Sequence, residues 1–221
     1  MIADDADEEH LQIEPYDLDE GLLEATRSRD SMQIQLYRYP ETVVVLGRGS
    51  KPEIELNLQN IIADRVPVLR RRGGGCSVVL DSGNLVFSVA VPLPGLGGIH
   101  EAYDRVTGWL IRGLSDCGIP GVRKEGVTDL ALNGLKIGGG CIYRERGLLF
   151  YSTTLLFDPE ITKIERYLLH PPREPEYRKE RAHGEFVTSL VNVSDNKDID
   201  GFRQRLEDSL LHAAVTFNNT A

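Results

Sequence analysis

The chain has 221 residues, of which 41% are hydrophobic and 27% charged, and its formal net charge is −9. These values predict one globular domain over residues 1–221 and argue against a nucleic-acid-binding protein, which normally carries a basic surface. No segment has the pattern of a secretion signal and no apolar run has membrane-spanning length, so we expect a cytoplasmic protein with no membrane partner. The acidic, polar residues 1–12 predict a flexible arm.

The first half of the chain predicts strands separated by short helices. Apolar spacing favours helices over 16–26 and 54–64. β-branched and aromatic residues predict strands over 32–39, 42–48 and 66–71. We expect the first two strands to form a pair with a tight connection at Pro40-Glu41. Residues 76–91 are typical of a hairpin that turns at 81–84.

The second half begins with a longer amphipathic helix, predicted over 100–116 and stopped by Gly118. Residues 128–140 predict a hairpin, because Asn133-Gly134 is a strong signal for a tight turn between strands. The remaining predicted elements are a strand over 147–158 and helices over 161–169 and 198–216. This mixture of hairpins and flanking helices predicts an α+β fold with a mostly antiparallel β-sheet.

Three cysteines, Cys76, Cys117 and Cys141, follow no spacing typical of a disulfide framework or a zinc site. His100 and His183 have no second histidine or carboxylate at ligand spacing. We therefore expect reduced thiols and no metal site.

Two glycine-rich runs carry the strongest chemical signal. The segment Arg70-Arg71-Arg72-Gly73-Gly74-Gly75 leads into an alternating apolar stretch, and Lys136 precedes Gly138-Gly139-Gly140 about sixty residues later. Glycines let a backbone approach a ligand closely, while arginine and lysine supply positive charge. Neither a P-loop nor a GxGxxG pattern is present, so the usual nucleotide-binding folds are disfavoured. The two runs together predict one anion-binding pocket.

Four segments, in order, resemble the lipoate-protein ligase family of the biotin/lipoate ligase superfamily. RRRGGGCSVVLDSGNLVFS resembles that family's RRxSGGGAV…HDxGNxxFS, and TVVVLGRGSKPEIELN is similar to VVIGRxQNPxxExN. Asp129 and Lys136 with its glycines are similar to the family's D-L…K-[IV]-S-G, and RAHGEFVTSL, residues 181–190, to its V-T-N-L element. Departures are Gly73, Cys76, Leu80 and Gly138, which stand where the family has serine, glycine, histidine and serine.

The resemblance implies a biotin/lipoate ligase-like catalytic domain that uses ATP and Mg²⁺ to convert lipoate to lipoyl-AMP. The lipoyl group then passes to a lysine of a lipoyl carrier protein, such as a glycine cleavage H-type or a dehydrogenase E2-type protein. Lys136 is the implied catalytic residue, because a fixed cation stabilises negative charge on the carbonyl and phosphate oxygens. The implied substrate- and nucleotide-binding residues are Arg48, Arg70, Arg71, Gly73, Gly74, Gly75, Cys76, Ser77, Val78, Asn84, Asp129, Gly138, Gly139, Gly140, Cys141 and Thr153.

Members of the family that ligate in one chain often carry a C-terminal accessory domain, and this sequence ends soon after its last predicted helix. We expect either that the chain works without that domain or that a separate accessory polypeptide supplies it. The residues Arg173, Arg178, Lys179 and Arg181 form a basic group that contacts nucleotide or an acidic carrier, or is a solvated surface.

Two alternative functions remain at this point. One is an octanoyl or lipoyl transferase that acts through a cysteine thioester, with Cys76 or Cys141 as nucleophile. Small residues that fill glycine or alanine positions are the better interpretation of both, and Cys117 is predicted to pack in the core. The other alternative is a noncatalytic lipoyl-binding module.

Overall fold

The computed structural model describes residues 11–93 and 98–218, so residues 1–10 of the predicted arm lie outside it. Its strands are β1 (Ile13–Pro15), β2 (Gln33–Tyr37), β3 (Val43–Leu46), β4 (Val68–Arg70), β5 (Val78–Leu80), β6 (Asn84–Pro92), β7 (Arg123–Glu125), β8 (Asp129–Leu132), β9 (Leu135–Glu145) and β10 (Leu148–Leu156). Its α-helices are α1 (Glu20–Arg29), α2 (Pro52–Glu55), α3 (Leu58–Ala63), α4 (Ile99–Asp116), α5 (Ile161–Tyr167), α6 (His183–Phe186), α7 (Leu190–Val193) and α8 (Ile199–Asn218). A 3₁₀-helix covers Glu176–Arg178.

The larger sheet has six antiparallel strands in the order β2-β6-β10-β9-β8-β7. Helices α4 and α8 pack against each other and cover one face of this sheet. The core between them contains the fully buried side chains of Phe87, Trp109, Tyr151 and Phe202. Each such apolar side chain stabilises the fold by about 1.5–3 kcal/mol relative to exposure. Packing of the helices on this face holds the strands in place, so the side chains on the opposite face of the larger sheet have fixed positions.

The smaller sheet has the strand order β1-β4-β3-β5, with β4 parallel to both β1 and β3 and β5 antiparallel to β3. Helices α3 and α5 cover one of its faces, where Val44, Ile61, Val68 and Ile164 pack together. Its other face packs on the larger sheet through a cluster that includes Val86. Both faces of the small sheet are therefore buried.

The structure corrects two predicted strand pairings. The segments predicted as a pair around Pro40-Glu41 belong to different sheets, since β2 pairs with β6 while β3 pairs with β4 and β5. The predicted hairpin over 76–91 is also wrong, because β5 pairs with β3 and β6 pairs with β2 and β10. Turn residues reverse the chain direction but do not choose the partner strand. All four residues of β3 are buried, as is typical of an interior strand with parallel pairing.

Other predictions are confirmed, including the long helix α4, strand β10 and the hairpin of β8 and β9. Asn133 and Gly134 have φ angles of 53° and 76°, as the tight turn requires. The predicted helix over 54–64 is instead two helices, α2 and α3, because Leu56 is extended and buried between them. The α+β fold with a mostly antiparallel sheet is confirmed, whereas the single domain over 1–221 stays a prediction.

None of the helices in the described ranges is both long enough and apolar enough to cross a lipid bilayer.

Candidate active site

A cavity of about 390 Å³ lies between the two sheets, a size typical of small-molecule sites. The larger sheet contributes β6, β9 and β10 to its walls, and the smaller sheet contributes β5 together with the turn that precedes it. Further parts of the wall come from Val45 of β3, Asp129 of β8, α1, the segment 171–178 and α6. The cavity is therefore assembled from segments that are distant in the sequence.

The strand register decides which side chains face this cavity. Residues directly opposite each other in antiparallel strands point to the same face of a sheet. One such row across the larger sheet runs from Tyr37 through Val86, Thr154 and Gly139 to Asp129. The last four of these residues line the cavity. The cavity face and the helix-covered face can therefore be assigned along each strand.

A β-bulge in β9 turns Lys136 toward the cavity. Leu130 pairs with Gly138 and Ala131 pairs with Lys136, so Ile137 is the extra residue. Ile137 is fully buried in the core beneath α4 and α8. Without the bulge, strict alternation would place Lys136 on the same face as Gly138, away from the cavity. The bulge therefore creates the cavity-facing lysine.

Lys136 forms an ion pair with Asp129, with Nζ 2.7 Å from Oδ1. The hydroxyl of Tyr177 donates a hydrogen bond of 3.0 Å to the other carboxylate oxygen of Asp129. Burial, followed by the Asp129 charge, raises the pKa of Tyr177, which therefore stays a protonated donor. A Cβ at Gly139 would lie 2.9 Å from both Cε and Nζ of Lys136, so glycine leaves the space that the lysine side chain crosses. The result is a cation of fixed position at the cavity wall.

The glycine turn, residues 73–75, packs closely on two neighbouring segments. A Cβ at Gly47 would lie 1.9 Å from the carbonyl oxygen of Gly75, and a Cβ at Gly73 would lie 2.4 Å from Sγ of Cys141. The Arg48 amide donates a 2.8 Å hydrogen bond to the Gly73 carbonyl. Close packing against neighbouring segments therefore explains why a side chain would not fit at Gly47 or Gly73.

Arg70 and Arg71 make hydrogen bonds inside the protein. Nη1 of Arg70 donates to carbonyl oxygens of the 47–50 loop, two of them at 3.0 Å. Nη2 of Arg71 donates to the carbonyls of Gly74 and Cys76, each at 2.8 Å. Arg71 also lines the cavity, whereas Arg70 lies at a shallower cleft beside it. Both arginines hold the loops of the site in place.

Glu55 is a further residue of the site that the sequence did not single out. Its Oε2 accepts hydrogen bonds of 2.7 Å from both the amide and the hydroxyl of Ser77, and one of 3.0 Å from the Ser50 hydroxyl. Such bonds to a carboxylate are strong, and Glu55 is 7% exposed. Glu55 therefore ties the 47–50 loop to the cavity wall. In the sequence, Glu55 could have been found as the glutamate of TVVVLGRGSKPEIELN that matches the glutamate of VVIGRxQNPxxExN.

The structure brings together many of the predicted site residues but not all. Those that line the cavity are Arg71, Gly73, Gly75, Cys76, Ser77, Val78, Asp129, Lys136, Gly139, Gly140 and Cys141. Those that do not are Arg48, Arg70, Gly74, Asn84, Gly138 and Thr153. Thr153 is buried on the strand between two cavity-lining neighbours and so points to the other face. Asn84 is 1% exposed and donates a 2.9 Å hydrogen bond to Asp81.

The cysteines are free thiols. Burial raises the pKa of the Cys76 thiol and of the Cys141 thiol, so both are protonated near neutral pH and poorly nucleophilic. Cys117 packs in the core beneath α4, as predicted. These environments do not favour the thioester alternative. Within residues 11–93 and 98–218, no three histidine, cysteine, aspartate or glutamate side chains group as a metal site.

The predicted basic group at 173–181 is not uniformly a solvated surface. Arg178 is 4% exposed, and Arg181 donates hydrogen bonds to the carbonyls of Tyr177 and Gly134. Burial and the neighbouring Arg178 charge lower the pKa of His183, which also lines the cavity, to about 4. The His183 imidazole is therefore neutral at physiological pH.

Solved structures that are described as ligases share this fold. A structure described as a bipartite lipoate protein ligase from Thermoplasma acidophilum superposes with a TM-score of 0.73 and 20% identity, over 91% of this chain and 82% of that one. A structure described as lipoate-protein ligase A bound with ATP superposes with a TM-score of 0.71 and 22% identity, over 91% and 84%. The larger and the smaller sheet with their helices thus form a lipoate ligase-type fold.

The model of the lipoyl protein ligase A/B catalytic domain matches residues 13–211, so the chain belongs to this family. A lipoate-protein ligase A of Aeropyrum pernix is 33% identical over 206 residues, which cover 89% of this chain and 73% of that protein. One of Mycoplasma genitalium is 31% identical over 151 residues, covering 68% and 44%. The chain spans about half the length of several relatives that it matches. The resemblance stated from the motifs is confirmed.

Proposed function

We propose that the chain is the catalytic domain of a lipoate-protein ligase, which activates lipoate with ATP and transfers the lipoyl group to a lysine of a lipoyl carrier protein. The observation that carries the proposal is the Lys136–Asp129 pair on the wall of a cavity shared by the glycine turn and aliphatic side chains. The names of the relatives support the same activity. Structural neighbours described with bound lipoic acid and with bound ATP support these two ligands.

The chemistry needs a cation at two points. In the first step a lipoate carboxylate oxygen bonds to the α-phosphorus of ATP and pyrophosphate leaves. In the second step the carrier lysine amine bonds to the acyl carbon, AMP leaves and the amine loses a proton. Both steps place negative charge on phosphate and carbonyl oxygens, which Lys136 and the backbone amides of the glycine turn stabilise. Asp129 positions Lys136, and Tyr177 positions Asp129.

The acyl chain occupies the aliphatic part of the cavity. Val45, Val78, Val79, Leu80 and Val86 line this part, contributed by both sheets. Each methylene of the acyl chain that leaves water there contributes about 0.8 kcal/mol to binding. The eleven predicted residues that line the cavity are the proposed contacts with acyl chain and adenylate.

Mg²⁺ is proposed to arrive with ATP, because proteins commonly hold it through substrate phosphates and one or two carboxylates. An H-type or E2-type lipoyl domain is the proposed acceptor, and the Thermoplasma neighbour is described together with its E2 lipoyl domain. Because that neighbour is described as bipartite, the proposal includes a separate accessory polypeptide as a partner for the adenylation step.

The cytoplasm is the proposed compartment, since it supplies ATP and keeps thiols reduced.

The test is to incubate the pure protein with ATP, Mg²⁺, lipoate and an apo lipoyl domain and to measure the mass of the lipoyl domain. A parallel reaction supplies preformed lipoyl-AMP in place of ATP and lipoate. Modification in either reaction supports the ligase, and modification only with lipoyl-AMP indicates that adenylation needs the accessory chain. Modification from an octanoylated carrier without ATP would support the transferase instead. No modification in any reaction would contradict the proposal and favour a binding module.

A further inference from the structure

The segment 171–182 crosses the cavity beside the Lys136–Asp129 pair. Tyr177 donates its hydroxyl hydrogen to Asp129, and Sγ of Cys76 lies 3.7 Å from the carbonyl oxygen of Arg173. A Cβ at Gly126 would lie 2.9 Å from Cβ of Pro175, so the segment also packs on the loop before β8. This segment therefore joins the glycine turn to the β8–β9 hairpin.

Arg178 lies on this segment and lines the cavity. Its side chain is 5% exposed, and its guanidinium carbon lies 4.9 Å from the centre of the Phe186 ring. Nε donates a 3.0 Å hydrogen bond to the Arg181 carbonyl. Nη2 is buried and has no hydrogen-bond partner among the described residues. A charged donor is thus held out of water with unused hydrogen-bonding capacity.

The nearby carboxylates are already engaged by other groups. Glu174 lies 3.5 Å from Nε of Arg178, but it also pairs with His170 at 3.0 Å and accepts the Glu180 amide at 3.0 Å. Asp129 is bound by Lys136 and Tyr177. Burial lowers the pKa of Arg178, in keeping with incomplete compensation of its charge, although a guanidinium stays protonated at neutral pH. An unsatisfied buried donor is costly, so an incoming anion would relieve that cost.

The backbone after Arg178 is built into a strained turn. Lys179 and Glu180 have φ angles of 53° and 60°, and two successive non-glycine residues in the left-handed region are unfavourable. The turn is held by the bond from the Glu180 amide to Glu174 and by the Arg181 amide, which donates to the Arg178 carbonyl at 3.2 Å. These bonds fix the position from which the Arg178 side chain reaches inward.

We propose that Arg178 is a phosphate-binding residue of this cavity, with Nη2 donating to a phosphate oxygen of the bound adenylate. This inference rests on the proposed ligase function and adds a second cation to Lys136. Burial, followed by the charges of Arg178, His170 and Lys136, lowers the pKa of His183, and the two cation contributions are consistent with Arg178 and Lys136 lying at the same end of the cavity. A guanidinium suits this role because it offers several donors in a fixed plane to phosphate oxygens.

The test compares binding of AMP and adenosine, which differ only in the phosphate, by titration calorimetry with the whole chain. Arg178→Met is expected to weaken AMP binding by about tenfold or more, while adenosine affinity stays within about twofold. Arg178→Lys should lose part of the AMP affinity, because it keeps the charge but not the planar donors. Arg181→Met is the matched control, since Arg181 lies 5.2 Å from the same Phe186 ring but outside the cavity lining.

The outcomes separate this inference from the ligase proposal. Three results would overturn the role of Arg178. The first is an Arg178→Met variant that binds AMP as tightly as the wild type, and the second is a variant that loses AMP and adenosine affinity equally. The third is a wild-type protein that does not bind AMP. The ligase proposal would still be decided by modification of the lipoyl domain. If Arg178→Met does not fold, as judged by thermal unfolding, Arg178→Lys decides: AMP affinity equal to wild type would overturn the inference. An unchanged ratio of AMP to adenosine affinity in Arg181→Met is expected.

Discussion

The glycine turn and the β8–β9 hairpin have similar sequences but use their cations differently. Just before the glycine turn, Arg70 and Arg71 donate hydrogen bonds to backbone carbonyls and hold neighbouring loops together. In the hairpin, Lys136 faces the cavity and pairs with one carboxylate. A cation beside glycines supports structure where carbonyls take up its donors, as for Arg70, and supports chemistry where it faces the cavity and a carboxylate, as for Lys136. Arg71 lines the cavity but also donates to carbonyls, so variants of Lys136, Gly139 and Arg71 separate the two uses.

The largest effect is expected for Lys136→Ala. Removing the cavity-facing cation should lower the rate of lipoyl transfer by about 10²–10³-fold, because it stabilises charge that develops in both steps. The variant leaves the buried Asp129 carboxylate with its Tyr177 hydrogen bond but without its cation, so the thermal unfolding temperature should also fall. The rate is measured as modification of the lipoyl domain over time. Full activity in this variant would contradict the role assigned to Lys136.

The next effect is expected for Gly139→Ala. The new Cβ would lie 2.9 Å from Cε and Nζ of Lys136, and this flexible side chain can move away at small cost to the fold. We expect the transfer rate to fall by about tenfold, since misplaced catalytic groups lose rate steeply. The matched control is Gly74→Ala in the glycine turn, where no atom lies within 4 Å of the new Cβ. Equal rates in the two variants would contradict the proposed positioning.

On the structural side of the comparison, Arg71→Met should mainly reduce stability. The carbonyls of Val45, Gly74 and Cys76 lose a charged donor, which should lower the free energy of unfolding by about 1.5–3 kcal/mol. Urea unfolding measures this change. Arg48→Met is the control, because Arg48 is exposed and its replacement should change stability by about 0.5 kcal/mol or less. A large loss of transfer rate in Arg71→Met with unchanged stability would show that Arg71 acts directly on the ligand.

The smallest effect is a dependence of stability on pH through His183. Its pKa is about 4 in the folded protein and near 6.5 when unfolded, so the unfolded state binds the proton first as the pH falls. Stability contributed by the neutral imidazole is present above pH 6.5 and is lost between pH 6.5 and about 4. Urea midpoints over this range should fall less for His183→Gln than for the wild type. Parallel curves for the two proteins would contradict the assignment.

Much of the fold followed from local sequence patterns. The apolar spacing of α4 and the Asn133-Gly134 turn predicted elements that the structure contains. The errors concern strand partners, since the segments of β3 and β5 were paired with β2 and β6 rather than with each other. Strand pairing depends on contacts between distant segments, which a local pattern does not encode.

For the site, too, local motifs identify some residues, whereas the positions of others depend on strand pairing. Motif matches identified Asp129, Lys136 and the glycine turn, and these residues line the cavity. The motif matches also proposed Thr153 and Gly138, although the strand register places Thr153 between cavity-facing residues and packs Gly138 against the backbone of Thr154. Arg178 is one of several basic residues in the sequence, and its burial, its place in the cavity wall and its unpartnered Nη2 appear only in the folded chain.

The family, the α+β class and the residue types that can bind an anion follow from composition, local periodicity and motif order, so they can be predicted before the chain is folded. Which cations face the cavity depends on the folded chain. One bulged residue in β9 reverses the face on which Lys136 lies, and the carbonyls of Gly47 and Val45, distant in sequence, accept hydrogen bonds from Arg70 and Arg71. Side-chain direction depends on strand register and on neighbours far away in sequence, so it appears only when the chain is folded.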